Sequence, residues 1–272
     1  MRKLLTTVFG LILLSGCAYL GAAHYDELFG EEQPRERVVA ASTLEGAEFL
    51  SDVKPVLDTR CVVCHGCYDA PCQLKLSSVE GIDRGLSKER VYDGTRLLAQ
   101  EPSRLLFDAT STAQWREKGF TPVLNERAQT EEANLAGSVL YNALVLKQSS
   151  PLPKQAILGD EFDFSLDREQ TCTTMNEFDS FAKDNPHSGM PYGLPGISSE
   201  EFQHLTKWLK KGGYLAHIEP PEEGVLKQVE RWEAFLNQDG LKHQLAARYI
   251  YQHWYLAHIY FPEHGDKHSY FK

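Results

Sequence analysis

The chain has 272 residues, 42% hydrophobic and 11% aromatic, which leaves room for one or two domains with a real core. Its formal net charge of −10 weighs against nucleic-acid binding, which wants a basic face, and against simple electrostatic attachment of the whole chain to anionic lipid. No glycine motif cradles a phosphate, so no nucleotide cofactor is implied.

The N-terminus reads as a targeting segment. Arg2 and Lys3 precede an apolar run, Leu4 to Leu14, and Ser15-Gly16 supplies small residues before Cys17. This is the order of a secretory signal peptide. The run is shorter than the roughly 20 apolar residues that span a bilayer. Leu14-Ser15-Gly16-Cys17 also resembles a lipobox, in which Cys17 is acylated and becomes the mature N-terminus. The expectation is a periplasmic protein anchored as a lipoprotein; the alternative is a soluble periplasmic protein cut elsewhere. His24 to Ala41 is charged, holds a proline and keeps no period, so residues 18–42 read as a linker.

From Thr43 the pattern turns helical. Phe49, Val53, Val56 and Leu57 share one face and lead into Cys61, with Pro55 kinking or restarting the helix. Cys61-Val62-Val63-Cys64-His65 follows. Two thiols three positions apart can each add to a haem vinyl group, and the adjacent histidine then lies under the iron. Cys61 and Cys64 are thus candidate attachment residues for one covalent haem c, and His65 the candidate proximal ligand. The competing reading is zinc, but no second Cys-x-x-Cys or closely spaced His pair completes a set of ligands. Cys67, Cys72 and Cys172 remain. In an oxidising compartment two of them should pair; Cys67 with Cys72, or Cys172 with either, are all open.

Glu89 to Leu98 and Glu131 to Lys147 read as helices, and Pro151 to Phe164 as irregular. Met190-Pro191 lies in a Gly/Pro-rich loop from Pro186 to Gly196. A helix follows, opened by a Ser198/Glu201 capping box, faced by Phe202, Leu205, Trp208 and Leu209, and closed by Gly212-Gly213. A loop methionine before a final helix suits a distal thioether ligand, which makes Met190 the candidate. Met175 sits in a polar segment beside Cys172. His187 is the main rival. After Pro220-Pro221, a helix through Val225, Val229 and Trp232 and a second from Leu241 to Tyr260 are expected, the second dense in Tyr, His and Trp. Such a helix suits a membrane interface or, more plainly, packing against protein.

The fold expected is mainly α: a cytochrome c-like haem domain over 43–216 with a long insertion, then a helical extension over 217–272. The string from Cys61 through Gly66-Cys67-Tyr68-Asp69-Ala70-Pro71-Cys72 to Gln73-Leu74-Lys75-Leu76 resembles the bacterial fatty acid cis/trans isomerases. So do Tyr92-Asp93-Gly94-Thr95-Arg96-Leu97-Leu98, Pro102-Ser103-Arg104-Leu105, Trp115-Arg116 with Phe120 to Glu126, and Gly189-Met190-Pro191-Tyr192-Gly193-Leu194-Pro195-Gly196. The resemblance implies a periplasmic c-type haemoprotein that isomerises cis acyl chains of membrane phospholipids without moving the double bond, as part of membrane stress adaptation. His65 and Met190 would then carry the chemistry. Family members are longer, so the chain reads as the N-terminal portion of such an enzyme. The alternative function is an electron-transfer cytochrome c domain or haem sensor of a periplasmic lipoprotein.

Overall fold

The computed structural model describes residues 26–261 except 28, 68–69, 94–95, 102, 156, 166–167, 169, 219–220, 255–256 and 258. Cys17 and the signal stretch lie outside the described residues. The architecture is mainly α, with one short hairpin, β1 (Tyr92–Asp93) antiparallel to β2 (Arg96–Leu97). It forms two compact units, one ending at His217 and one beginning at Ile218.

In the first unit, Thr43 caps the opening helix: its Oγ1 accepts from the Gly46 N–H at 3.0 Å. That helix, α1 (Leu44–Glu48), runs into a π turn (Phe49–Val53) and then α2 (Lys54–Arg60). Pro55 stands in the first turn of α2, where its missing N–H costs nothing, and the wider π turn ahead of it absorbs the restart. The expected restart at Pro55 is therefore observed. Phe49, Val53 and Leu57 pack into one core with Leu205, Trp208 and Leu209 of α9, a helix defined below. The Phe49 and Trp208 ring centres are 6.0 Å apart.

The turn α3 (Val62–His65) follows α2, and α4 (Val79–Arg84) is capped by Ser78. Glu89 to Leu98, expected as a helix, is instead the β1–β2 hairpin. The register Tyr92↔Leu97 and Asp93↔Arg96 leaves two residues between the strands, the commonest hairpin connection, and cross-strand pairing outweighs the helical pattern. A short α5 (Thr112–Glu117) comes next. Glu131 to Lys147 is not one helix but two, α6 (Glu131–Ala136) and α7 (Val139–Ser149). Ser138 breaks the run. Its Oγ caps α7 through the Tyr141 N–H at 3.1 Å and donates to the Val123 carbonyl at 3.0 Å. Gly137 beside it has no room for a side chain, since a Cβ there would lie 2.4 Å from Asn125 Oδ1. Residues 151–164 are irregular, as expected. After α8 (Phe178–Asp184), α9 (Ser199–Lys210) shows the full Ser198/Glu201 capping box, and Gly212 follows its end at φ +100°.

The stretch read as a linker is, in its described part, a strap. The Gln33 N–H donates to the Glu126 carbonyl, and Val39 and Arg37 exchange backbone bonds with Leu215. Arg37 is 2% exposed and reaches both Asp83 (3.4 Å) and Glu126 (3.5 Å). Arg116 grips the same Glu126 with two bonds, at 2.8 and 2.7 Å. Charged residues that look solvated in the sequence are here a buried ion network tying the strap, α4, α5 and the 120–126 segment together. The Cys72–Cys172 disulfide adds a second long-range tie, closing a separation of 100 residues. In the loop-entropy picture this is worth about 5 kcal/mol.

In the second unit, α10 (Glu223–Leu236) and α11 (Leu241–Trp254) form a helical hairpin, with the Phe235 ring edge-on to His243 at 5.4 Å. The second helix stops short of the expected Tyr260. The Ala257 N–H bonds back to the Trp254 carbonyl at 2.8 Å. Tyr255 and His258 lie outside the described residues. Leu241, Leu245, Tyr249, Tyr251 and Trp254 are all exposed. α11 carries Lys242 and Arg248 and no acidic residue, a local reversal of the chain's net charge. Among the described residues no helix is long and apolar enough to cross a membrane.

Candidate functional site

Cys61, Cys64 and His65 sit on a single helical turn. The His65 and Cys64 N–H groups both point to the Cys61 carbonyl, at 2.9 and 3.2 Å. Cys61 packs partly against the core, Cys64 is exposed, and Val63 between them is 71% exposed. The turn thus presents the Cys64 thiol and an apolar side chain outward, while Cys61 and the imidazole turn toward the core. Burial pushes the Cys61 thiol up to about 11, with smaller contributions from Cys64 and Glu201, so it stays a neutral thiol.

His65 is 8% exposed. Its Nδ1–H donates to the Leu74 carbonyl at 3.0 Å, and Nε2 has no hydrogen bond among the described residues. Burial lowers the imidazole below its ordinary pKa, and the bond to Leu74 offsets this only in part. A neutral ring with the proton fixed on Nδ1 leaves the Nε2 lone pair for a metal; this is how metal-binding histidines are generally oriented.

The cysteine pairing left open by the sequence resolves as Cys72–Cys172, with Cys61, Cys64 and Cys67 free. The residues therefore fit a covalent haem: two unpaired thiols at the right spacing and one tautomer-fixed imidazole. Among the described residues no three His, Cys, Asp or Glu side chains gather as a metal-holding group. A single imidazole suits a porphyrin, which brings its own ring nitrogens.

The turn that supplies the Leu74 carbonyl has an unusual backbone. Cys72 and Gln73 are consecutive non-glycine residues in the left-handed region, at φ 57° and 50°. Each such residue costs about 1–2 kcal/mol, so the surroundings must impose the shape. They do so from several sides. The Cys72 carbonyl accepts from the Ser87 N–H at 2.8 Å, Gln73 Nε2 donates to the Glu89 carbonyl at 2.9 Å, and Cys72 is locked to Cys172. Arg84 Nη2 donates to the Gln73 carbonyl and Nη1 to the Ser103 carbonyl at 2.6 Å. Arg84 is fully buried over the Phe120 and Trp115 rings, 4.9 and 5.7 Å from their centres. Burial lowers its pKa to about 10.

Met190 stands on a different element. Its N–H donates to the Ala143 carbonyl of α7 at 3.0 Å, and Gly189 lies so close to α7 that a Cβ would sit 2.3 Å from the Lys147 nitrogen. No hydrogen bond ties this loop to the His65 turn among the described residues. His187, in the same loop, has a buried Nδ1 without a partner and a ring 5.5 Å from Phe162. Met175, expected in polar surroundings, instead packs against the core, with its Sδ accepting from Asn142 Nδ2 at 3.6 Å. The Leu74 carbonyl and Arg84 carry no motif and were not legible as site groups. The only hint was the dense Cys67–Leu76 string.

A family model, fatty acid cis/trans isomerase (CTI), matches residues 100–272. The chain belongs to the fatty acid cis/trans isomerase family. The protein is an isomerase of that class, and the resemblance carried by Trp115-Arg116, Phe120 to Glu126 and Gly189 to Gly196 lies inside the matched stretch. The Cys61–His65 turn lies before it, so membership and activity rest on the match while haem rests on the turn's own chemistry. No curated protein and no solved structure matches the isomerase chain.

Proposed function

We propose that this isomerase carries one haem c bound to Cys61 and Cys64, with His65 as proximal ligand, in a cytochrome c-like domain. Its substrates are cis-unsaturated acyl chains of membrane phospholipids, converted to trans with the double bond in place. A trans chain packs more like a saturated one, so the product stiffens the membrane under stress. The observation that carries this reading is the pairing of two free thiols with a buried imidazole whose Nδ1–H is already held by Leu74.

When bound, ferric haem supplies a reversible electron sink that lowers the bond order of a C=C without moving it. The chain's own residues do the rest. Cys61 and Cys64 would hold the porphyrin covalently, and His65 would offer Nε2. Met190 would offer the iron a second, displaceable sulfur ligand. The orphaned Nδ1 of His187 keeps that residue as the rival. Haem staining after denaturing electrophoresis tests the assignment. Exported wild-type protein is expected to stain, and the Cys61→Ala/Cys64→Ala variant to lose the band. A wild-type band that does not stain refutes the haem.

Moving an acyl chain of about 16 carbons into water costs on the order of 13 kcal/mol, at ~0.8 per CH₂. The enzyme therefore meets its substrate at the periplasmic membrane surface, aided by acylation at Cys17. α11 is the surface best suited to that contact. Its exposed Leu245, Tyr249 and Trp254 are apolar or amphipathic, and Lys242 and Arg248 complement anionic headgroups. In a Cys17→Ser background, phosphatidylcholine/phosphatidylglycerol vesicles should sediment the parent protein and release Leu245→Glu/Tyr249→Glu. Equal sedimentation of both would remove α11 from the contact.

A further inference from the structure

We propose that Arg84 is a positioning residue for the haem ligand: by holding the 72–74 turn in its left-handed form it aims the Leu74 carbonyl at His65 Nδ1 and so sets the orientation and basicity of the imidazole. The inference rests on the haem reading above.

A buried guanidinium usually faces a carboxylate. Arg84 does not: its two terminal nitrogens go to the Gln73 and Ser103 carbonyls, its flat faces lie over Phe120 and Trp115, and its buried Nε has no partner. An apolar side chain would fill the same space without the cost of burying a charge. What the cation adds is a grip on the Gln73 carbonyl, whose peptide unit also contains the Leu74 N–H. That N–H closes back on the Pro71 carbonyl at 3.2 Å, and the next carbonyl along is the one that accepts from His65. The turn is further pinned on the opposite side of the ligand segment by the Leu76 N–H, which donates to the His65 carbonyl at 2.8 Å. The path from Arg84 to the imidazole therefore runs through two peptide units and no flexible side chain.

The direction of the effect follows from the chemistry of the ring. A firm Nδ1–H···O bond gives imidazole more anionic character, makes it a better donor through Nε2, and favours ferric over ferrous iron. Loosening the turn weakens that bond and raises the midpoint potential. In the haem-bearing chain, Arg84→Met is expected to shift the midpoint upward in a spectroelectrochemical titration and to change the ferric low-spin EPR signal. Arg84→Lys keeps the charge but cannot span both carbonyls, so a smaller shift of the same sign is expected. Thr130→Ala, which removes the N-cap of α6, serves as the stability control and should leave both readouts in place. Either arginine variant decides the matter alone if the other fails to fold. Unchanged potential and EPR signal in a folded, haem-loaded variant overturn the proposal. A wild-type chain without covalent haem overturns the reading beneath it, and this inference with it.

Discussion

Cells producing His65→Ala protein are expected to show trans acyl levels after solvent shock that approach those of cells lacking the protein. The fall in rate should be at least about 100-fold, because even the outer partners of a metal ligand are worth roughly 10–100-fold. His65 is the one imidazole on the Cys61–His65 turn, and its buried Nδ1 faces the Leu74 carbonyl. Alanine removes the nitrogen and leaves the Leu74 carbonyl without its donor. Cys61 and Cys64 remain, so the variant should still stain for haem while losing its normal ferric spectrum. Gas chromatography of total fatty acids measures the outcome. Wild-type trans content in a stained, folded His65→Ala protein would separate the isomerase activity from the iron.

Glu126→Ala should cause the largest loss of stability of any single truncation in the ion network. Its side chain is 0% exposed and serves Arg116 through two bonds and Arg37 at 3.5 Å. Alanine strands two buried or nearly buried cations at once. Removing one partner of a buried pair costs about 3–5 kcal/mol. The strap around Arg37 should loosen with it, because Asp83 alone would then hold that guanidinium from the acidic side. Guanidinium-induced unfolding checks this; a loss under about 1 kcal/mol would mean that the network is solvated in solution. Glu126→Gln keeps the shape and part of the hydrogen bonding and should cost clearly less.

Local chemistry was the legible part of this chain. The Cys61–His65 spacing singles out residues that the structure places on one helical turn. Ser198 with Glu201 marks a helix start, and Pro55 marks a restart, because each signal acts within one turn of backbone. Longer-range facts were not available in that way. Nothing in the spacing of Cys67, Cys72 and Cys172 prefers a bridge across 100 residues to a loop of a few. Gly137-Ser138 interrupts a good helical period because Val123 and Asn125 crowd it from elsewhere in the chain. Arg37 looks like a linker charge until Glu126 and Asp83 close on it. The carbonyl that orients His65 belongs to a leucine, and a backbone oxygen leaves no trace in a sequence.

The cysteine connectivity also constrains biosynthesis. Between positions 61 and 72 the chain carries four thiols, Cys61, Cys64, Cys67 and Cys72, and only Cys72 ends in a disulfide. Its partner, Cys172, follows 100 residues later in the chain. Until then any bond formed within the cluster is a wrong one, and every such bond except Cys67–Cys72 consumes Cys61 or Cys64. On the proposed reading of an exported haemoprotein, maturation in an oxidising compartment would call for a thiol reductant that keeps this cluster open until porphyrin is delivered, and recombinant production without one should yield pale, misbridged protein.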